Sequence, residues 1–233
     1  MSSIDTSNIR HQEDEAEKLG ISKLLLMENA GASLSFSIKK ILNDLPNKNI
    51  VIIGGTGNNG GDAMVCARHL TYYGHDIKFF LLSESKYIKT DEGRTNWNII
   101  KKLPSIKKFE YCNDEVMDNK DIFFKNLSSS IESADLIVDG MLGTGITGKL
   151  RTPFSEVIVL VNNSSAIKVS VDIPSGLDPD SGNVIEKAVK SDYTVTFHAL
   201  KTGLINNGDF TGKILLFPIG IPFDIVSNSR KSK

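Results

Sequence analysis

The sequence predicts an α/β fold in three layers, a mostly parallel sheet between two layers of helices. Three observations carry this. Short apolar runs rich in β-branched residues, such as Ile50-Val51-Ile52-Ile53, read as strands buried on both faces. Amphipathic stretches of helical period alternate with them, the pattern of strands joined by crossover helices. Three of the predicted strands end in glycine-rich or polar loops, at 54–62, 139–149 and 172–182. In open parallel sheets ligands bind beyond the carboxyl ends of the strands.

Taken in order, Thr6 or Ser7 can cap a helix over 9–18, with Gly20 just past its end. Ser22 can cap the next helix, which runs towards Leu42 with Leu26, Ala30, Leu34, Ile38 and Ile41 on one face. Ala30, Gly31 and Ala32 are small enough to admit another backbone. Glu28 and Asn29 stand out as polar groups there, either a solvated or locally bonded face or a support for the glycine loop that follows. The first strand is 50–53 and the helix after it 62–70, closed by Gly74. A strand at 77–82, a helix over 91–103, a short strand at 108–111 and a helix over 118–131 follow. The strand at 136–138 ends in Asp139, and a helix over 153–161 carries proline in its first turn. The strand at 167–171 ends in Asp172, and shorter strands at 193–197 and 213–217 complete the set. No linker, repeat or low-complexity segment interrupts this, so a single domain is expected over 1–226, with a polar, basic tail that frays at 227–233.

Composition narrows the classes of function. With 233 residues, 40% hydrophobic and 24% charged, the chain can bury a sizeable core as one domain. Its 27 basic and 28 acidic residues leave a net charge of −1, so no global basic bias points to nucleic acid. Two cysteines, Cys66 and Cys112, form no disulfide framework and suit a reducing compartment. The amino-terminal stretch is acidic and lacks an apolar signal core, and no apolar run approaches a membrane span; the expected location is the cytosol.

The chemistry concentrates in the three strand-end loops. Gly55, Gly57 and Gly60 satisfy G-x-G-x-x-G, and Asn58-Asn59-Gly60-Gly61-Asp62 adds two amides and a carboxylate. A strand, a glycine turn and a helix start aim backbone N–H groups at an anion. Glycine loses the most entropy on folding, so this density points to a ligand site over a plain turn. The second loop, Gly143-Thr144-Gly145-Ile146-Thr147-Gly148-Lys149, repeats G-x-G-x-x-G and nearly matches a P-loop, but Leu150 stands where a magnesium-binding Ser or Thr is required. It reads as a pyrophosphate cradle rather than a triphosphatase site. In the third loop, Asp172-Ile173-Pro174-Ser175-Gly176, the aspartate at the tip of an apolar strand is partly desolvated, which suits general acid–base work. Pro174 weakens its alternative role as a helix cap. No nucleophile elbow surrounds Ser175, and neither cysteine has metal-site spacing. Asn59, Asp139 and Ser175 all offer oxygen at one sheet edge, and hard, weakly charged donors suit an alkali cation or calcium.

The segments Leu26-Met27-Glu28-Asn29-Ala30-Gly31, Gly57-Asn58-Asn59-Gly60-Gly61-Asp62, Val138-Asp139-Gly140 with Gly143-Thr144-Gly145, Val171-Asp172-Ile173-Pro174-Ser175-Gly176-Leu177-Asp178, and Val195-Thr196-Phe197 with Lys201 and Gly203 occur in order over nearly the whole chain. Together they resemble the NAD(P)HX epimerase family, the YjeF N-terminal-type domain. The resemblance implies a Rossmann-like αβα sandwich that interconverts the R and S forms of hydrated NADH and NADPH at C6 of the nicotinamide ring. It implies that Asn58, Asn59, Gly60, Gly61 and Asp62, the loop Gly143 to Lys149 and Asp172 contact the substrate. It also implies one potassium ion per subunit at Asn59, Asp139 and Ser175, a homodimer, and a separate dehydratase acting downstream. Asp172 is the expected base, with Lys201 assisting electrostatically. Thr56, Ala63 and Gly140 depart from the family's frequent Pro, Gly and Ala, and none is assigned chemistry. Two rivals are an NAD-dependent oxidoreductase, with Glu84 near the place of a ribose-binding acid, and a nucleotide- or RNA-binding scaffold of the same fold. The acid and the cation-ligand positions are all kept, which favours the enzyme.

Overall fold

The computed structural model describes residues 4–112, 117–143, 150, 152–184, 186–205 and 207–231. In chain order the elements are α1 (Thr6–Lys18), α2 (Lys23–Ile41), β1 (Asn49–Gly54), α3 (Asn58–Leu70), β2 (Asp76–Leu81), α4 (Asp91–Lys101), β3 (Ile106–Glu110), α5 (Met117–Glu132), β4 (Leu136–Gly140), α6 (Phe154–Asn163), β5 (Ile167–Val171), β6 (Tyr193–Phe197), α7 (Gly208–Thr211), β7 (Lys213–Phe217) and α8 (Phe223–Lys231). The strands form one sheet in the order β3-β2-β1-β4-β5-β6-β7. Every pairing is parallel, so the sheet is parallel throughout.

Alternation along β1 shows why the fold has three layers. Ile50 and Ile52 point into a core shared with Leu34 and Ile38 of α2, Met64 and Ala67 of α3, and Trp97 of α4. Val51 and Ile53 point the other way, against Phe123 and Leu127 of α5 and Val157 and Ile158 of α6. A period of two on a strand therefore serves both faces. Because every strand runs the same way, the carboxyl ends of β1, β4, β5 and β6 share one edge. The chain leaves β1 for β2 and β3 on one side and resumes at β4 on the other, which puts the topological switch point at the β1 and β4 ends.

Several boundaries differ from the sequence expectation. The cap of α1 is Asp5, whose Oδ1 accepts from the Asn8 N–H at 2.9 Å; Thr6 instead donates from its N–H and hydroxyl to the Asp180 carboxylate at 2.8 and 2.7 Å. Ser22 caps α2 as expected. Helix α3 starts at Asn58, not at Asp62, so the two glycines lie inside its first turns and the loop shrinks to Gly55-Thr56-Gly57. Helix α8 continues to Lys231, into the segment expected to fray. Among the described residues no helix is long and apolar enough to cross a membrane.

Candidate active site

A cavity of about 360 Å³ opens at the carboxyl edge of the sheet. Asn58, Asn59 and Asp62 of α3 line one wall, and Lys23, Leu26, Met27 and Ala30 of α2 another. Thr6, Ile9, Arg10, Glu13 and Asp14 of α1 form a third, and Asp172, Phe197 and Lys201 reach in from the ends of β5 and β6.

Asp172 follows β5 directly. Its backbone adopts φ 65°, a left-handed conformation that aspartate tolerates better than most residues. The Asp172 N–H still donates to Val195 O at 2.8 Å, so the turn stays tied to β6. Three donors converge on Oδ1: Thr196 Oγ1 at 3.0 Å, the Phe197 N–H at 3.2 Å, and Lys201 Nζ. Oδ2 receives no bond among the described residues. Lys201 is only 2% exposed, and its ammonium also donates to Thr196 Oγ1 at 3.1 Å and Phe197 O at 2.9 Å. One carboxylate oxygen is thus pinned while the other is left to the cavity.

Asp62 lies 8% exposed in the α3 wall, and its side chain has no hydrogen bond among the described residues. Burial pushes its carboxyl well above the usual range, and the charge of Asp172 pushes the same way. Glu13 of α1 is also raised, first by burial and then by Asp172, against the pull of Lys201 and Lys23. The site therefore combines a lysine-paired carboxyl with two carboxyls that burial and Asp172 push towards the neutral form.

Beneath the cavity lies a second constellation. Asp139 is 1% exposed and accepts four bonds: from the Met141 N–H (3.3 Å) and Ser175 hydroxyl on Oδ1, and from the Ser170 hydroxyl (2.7 Å) and Ser175 N–H (2.8 Å) on Oδ2. Burial raises its carboxyl and the Ser175 and Ser170 donors oppose that. Ser175 Oγ accepts from the Leu142 N–H at 2.9 Å and lies 3.3 Å from Leu142 O. The Asn59 amide approaches Val171 O at 2.6 Å and Leu142 O at 3.4 Å. Asn59 and Ser175 thus both approach the Leu142 carbonyl, and Asp139 joins them through its bonds with Ser175. Amide, carbonyl and hydroxyl oxygens beside one carboxylate are the donor types an alkali cation takes, but Asn59 presents its NH2 to the carbonyls with Oδ1 towards Gly143, so the amide must turn over before its oxygen can face an ion there. The four lone-pair positions of Asp139 are already taken by protein donors, so a hydroxyl must turn before Asp139 can itself face an ion. Among the described residues no group of three or more His, Cys, Asp or Glu is placed to hold a metal.

The glycines divide by role. A Cβ on Gly55 would sit 1.9 Å from Met141 O, one on Gly60 2.0 Å from Gly55 O, and one on Gly61 2.5 Å from the Met27 methyl. These are packing requirements, and Gly60 and Gly61 do not line the cavity. Gly57 has open space around it, room for a ligand to meet the backbone. Gly143 must lack a side chain because Asn59 Oδ1 would stand 2.2 Å from its Cβ. Thr144, Gly145, Ile146, Thr147, Gly148 and Lys149, expected to contact substrate, lie outside the described residues. Glu28 bonds Arg68 and His69, the latter at 2.8 Å, and Asn29 donates to Ile219 O at 2.7 Å; neither supports the glycine turn. Sequence reading missed the whole α1 wall. Its acids sit in the run Glu13-Asp14-Glu15, which looks like a solvated face.

Comparison with known proteins identifies the family and the fold. The profile of the family described as YjeF-related protein N-terminus matches residues 23–203. The NAD(P)H-hydrate epimerase of Cenarchaeum symbiosum is 38% identical over 219 residues, spanning 94% of this chain and 95% of the relative. That of Nitrosopumilus maritimus is 40% identical over 210 residues, spanning 90% and 91%. The bifunctional NAD(P)H-hydrate repair enzyme Nnr of Archaeoglobus fulgidus is 39% identical over 222 residues; the match spans 95% of this chain and 42% of that enzyme. The crystal structure of yeast ynu0, YNL200c, superposes with a TM-score of 0.78 at 22% identity, over 98% of this chain and 93% of that one, and so shares the fold. With the strand-end signatures in place on a parallel seven-stranded sheet and near full-length relatives at 38–40% identity, the chain belongs to the NAD(P)H-hydrate epimerase family built on the YjeF-related N-terminal domain.

Proposed function

We propose that this protein is an isomerase that interconverts the R and S epimers of hydrated NADH and NADPH at C6 of the nicotinamide ring, a step in repair of the cofactor. The observation that carries the reading is the Asp172 carboxylate, held on Oδ1 by Thr196, Phe197 and Lys201 and open on Oδ2 towards a cavity. The cavity has room for the nicotinamide end of a dinucleotide and is walled by the Asn58, Asn59 and Asp62 side chains.

C6 of the hydrate carries both a hydroxyl and the ring nitrogen. Asp172 takes the hydroxyl proton, the C6–N1 bond breaks with its electron pair on N1 to leave an aldehyde, the aldehyde rotates, and N1 attacks its other face as Asp172 returns the proton to oxygen. Lys201 balances the carboxylate charge and fixes the direction in which Oδ2 points. Asn59 and Ser175, with Asp139 supplying the negative charge, would hold a potassium ion, which would tie the α3 start to the β4 and β5 loops. The family resemblance extends the reading to a homodimer in the cytosol. A separate dehydratase downstream is supported by the bifunctional relative, more than half of whose length lies outside the match to this chain.

The test is epimerisation of purified R hydrate, coupled to an S-specific dehydratase, in potassium and in sodium. The expected outcome is a rate far above the spontaneous one, higher in potassium, and lowered about 10²- to 10⁴-fold by Asp172→Asn in a folded protein. An Asp172→Asn variant at full rate would overturn the assignment of the base. A folded wild type that binds the dinucleotide without accelerating epimerisation would favour the scaffold instead.

A further inference from the structure

We propose that Glu13 is a second proton-transfer residue of the site, delivering a proton to the ring nitrogen from the α1 wall while Asp172 withdraws one from the hydroxyl. The inference rests on the epimerase reading above. The family profile begins at residue 23, so the signature motifs say nothing of α1.

Position comes first. Thr6, Ile9, Arg10 and Glu13 fall at helical spacing on one stripe of α1, and that stripe lines the cavity. The helix is held in register with the residues that carry Lys201 and Asp172. Ile4 N–H donates to Leu200 O at 3.0 Å, Ile4 bridges to Lys201, Thr6 bonds Asp180, and Gln12 bonds His198. Partnering comes second. On the same helix Asp14 and Glu17 pair with Lys23, and Glu15 pairs with Lys18. Glu13 alone of these four acids forms no hydrogen bond or ion pair among the described residues. A half-buried, unpartnered carboxyl beside Asp172 is costly unless it has a use or keeps its proton. Burial and Asp172 do favour the protonated form.

The reaction gives that proton a destination. As the hydroxyl proton passes to Asp172 Oδ2, the C6–O bond becomes a carbonyl. The C6–N1 bond breaks with its electron pair on N1, and N1 takes the Glu13 proton. On reclosure N1 attacks the other face of the aldehyde, Asp172 returns its proton to oxygen, and the N1 proton returns to Glu13. Both carboxyls end as they began, and no further reactant is consumed. Asp62 is also pushed towards its protonated form, but it is 8% exposed in the α3 wall, whereas half-buried Glu13 can exchange with solvent between turnovers.

The experiment compares wild type, Glu13→Gln and Glu13→Asp in the coupled epimerase assay, with NADH binding measured by calorimetry and folding by thermal melting. Glu13→Gln should lower kcat about 10²-fold with KM and NADH affinity within about 2-fold, and Glu13→Asp should recover part of the loss. A general acid also sets an alkaline limb on kcat, which Glu13→Gln should remove. The charged groups that also face Glu13, namely Asp172, Lys201, Asp62, Lys23, Arg10 and Asp14, are unchanged in both variants. Unchanged kcat in Glu13→Gln, or a loss that only tracks weaker NADH binding with the alkaline limb intact, overturns the proposal. If Glu13→Gln does not fold, Glu13→Asp decides: a shifted alkaline limb supports the role and an unmoved one ends it. An inactive wild type overturns the epimerase reading and this one together, whereas an active wild type with an unaffected variant overturns this one alone.

Discussion

Lys201 is 2% exposed, nearly as dry as the isoleucines of β1 at 0–1%. A buried ammonium is tolerable only where a charge and hydrogen-bond acceptors meet it, and here Asp172, Thr196 and Phe197 O do so. The pair trades the loss of two hydration shells for mutual attraction, and it is one-sided deletion that exposes the cost. Lys201→Met should therefore destabilise the protein by about 3–5 kcal/mol and cut epimerase activity about 10²-fold or more, since Asp172 loses its charge partner while staying buried. Urea unfolding at pH 7 beside the coupled assay checks both effects, and a variant as stable as wild type would mean the pair is not a structural ion pair. The sequence exposed Asp139 and Asp172 because each stands at a strand end, where a polar residue breaks an apolar run, and Asn59 and Ser175 because each lies in the short polar, glycine-containing stretch that follows a strand. It hid Glu13 because an acid within a helical charge run carries no mark of what faces it. It hid the bonding of Asp139 too, because spacing along a chain does not tell which donors fill a carboxylate.

Elements show a different kind of legibility. Each strand announced itself, since β-branched apolar runs with Gly, Pro or Asp punctuation have few other uses in a chain of this size. The start of α3 was misplaced because Gly60 and Gly61 disfavour a helix by roughly 1 kcal/mol each. Packing overrides that preference: Gly60 admits Gly55 O and Gly61 admits the Met27 side chain. Likewise Gly31 of α2 lets Val65 and the Asp62 carbonyl of α3 come close, as its small neighbours suggested. The two departures at positions 63 and 140 become one fact in this light. A Cβ on Gly140 of β4 would lie 2.7 Å from the Cβ of Ala63 on α3, so the methyl has moved from strand to helix within a shared space. Gly140→Ala alone should overpack this contact and cost about 1–3 kcal/mol. Ala63→Gly alone should cost about 1 kcal/mol of helix propensity plus a small cavity. The new methyl would also meet the Asn59 backbone carbonyl at 2.9 Å, which Ala63→Gly leaves in place, so the double variant should recover part of the Gly140→Ala loss, a coupling of about 0.5–1 kcal/mol in a double-mutant cycle read by denaturant unfolding. Additive losses would show that the two positions do not share the space.

At the scale of the whole molecule, the parallel strand order places the carboxyl ends of β1, β4, β5 and β6 at one edge, and the site gathers residues from positions 6 to 219 of the chain. That gathering has an electrostatic consequence, because it concentrates buried titratable groups with opposing effects on stability. Glu13, Asp62 and Asp139 have raised folded-state values, so the folded protein holds protons that the unfolded chain releases. Their contribution is complete below the unfolded carboxylate range and is lost as pH rises through the folded values. His198, at φ 65° and bonded to Gln12, is depressed to about 4 by burial first and by Lys201 second. Below the ordinary histidine value of about 6.5 the unfolded chain gains a proton that the folded one refuses, so stability falls between about 6.5 and about 4. The two groups of residues pull in opposite directions across that window, and the melting temperature of wild type alone cannot separate them. His198→Asn can, since asparagine accepts the left-handed backbone, carries an amide in place of the ring, and does not titrate. Wild type should melt several degrees above His198→Asn at pH 7, and the gap should shrink steadily towards pH 4.5 as only the wild-type unfolded chain takes up the extra proton. A gap that is constant with pH, measured by calorimetry in matched ionic strength, would place the acid limb elsewhere, with His75 at the amino end of β2 the next group to remove, since burial depresses it too.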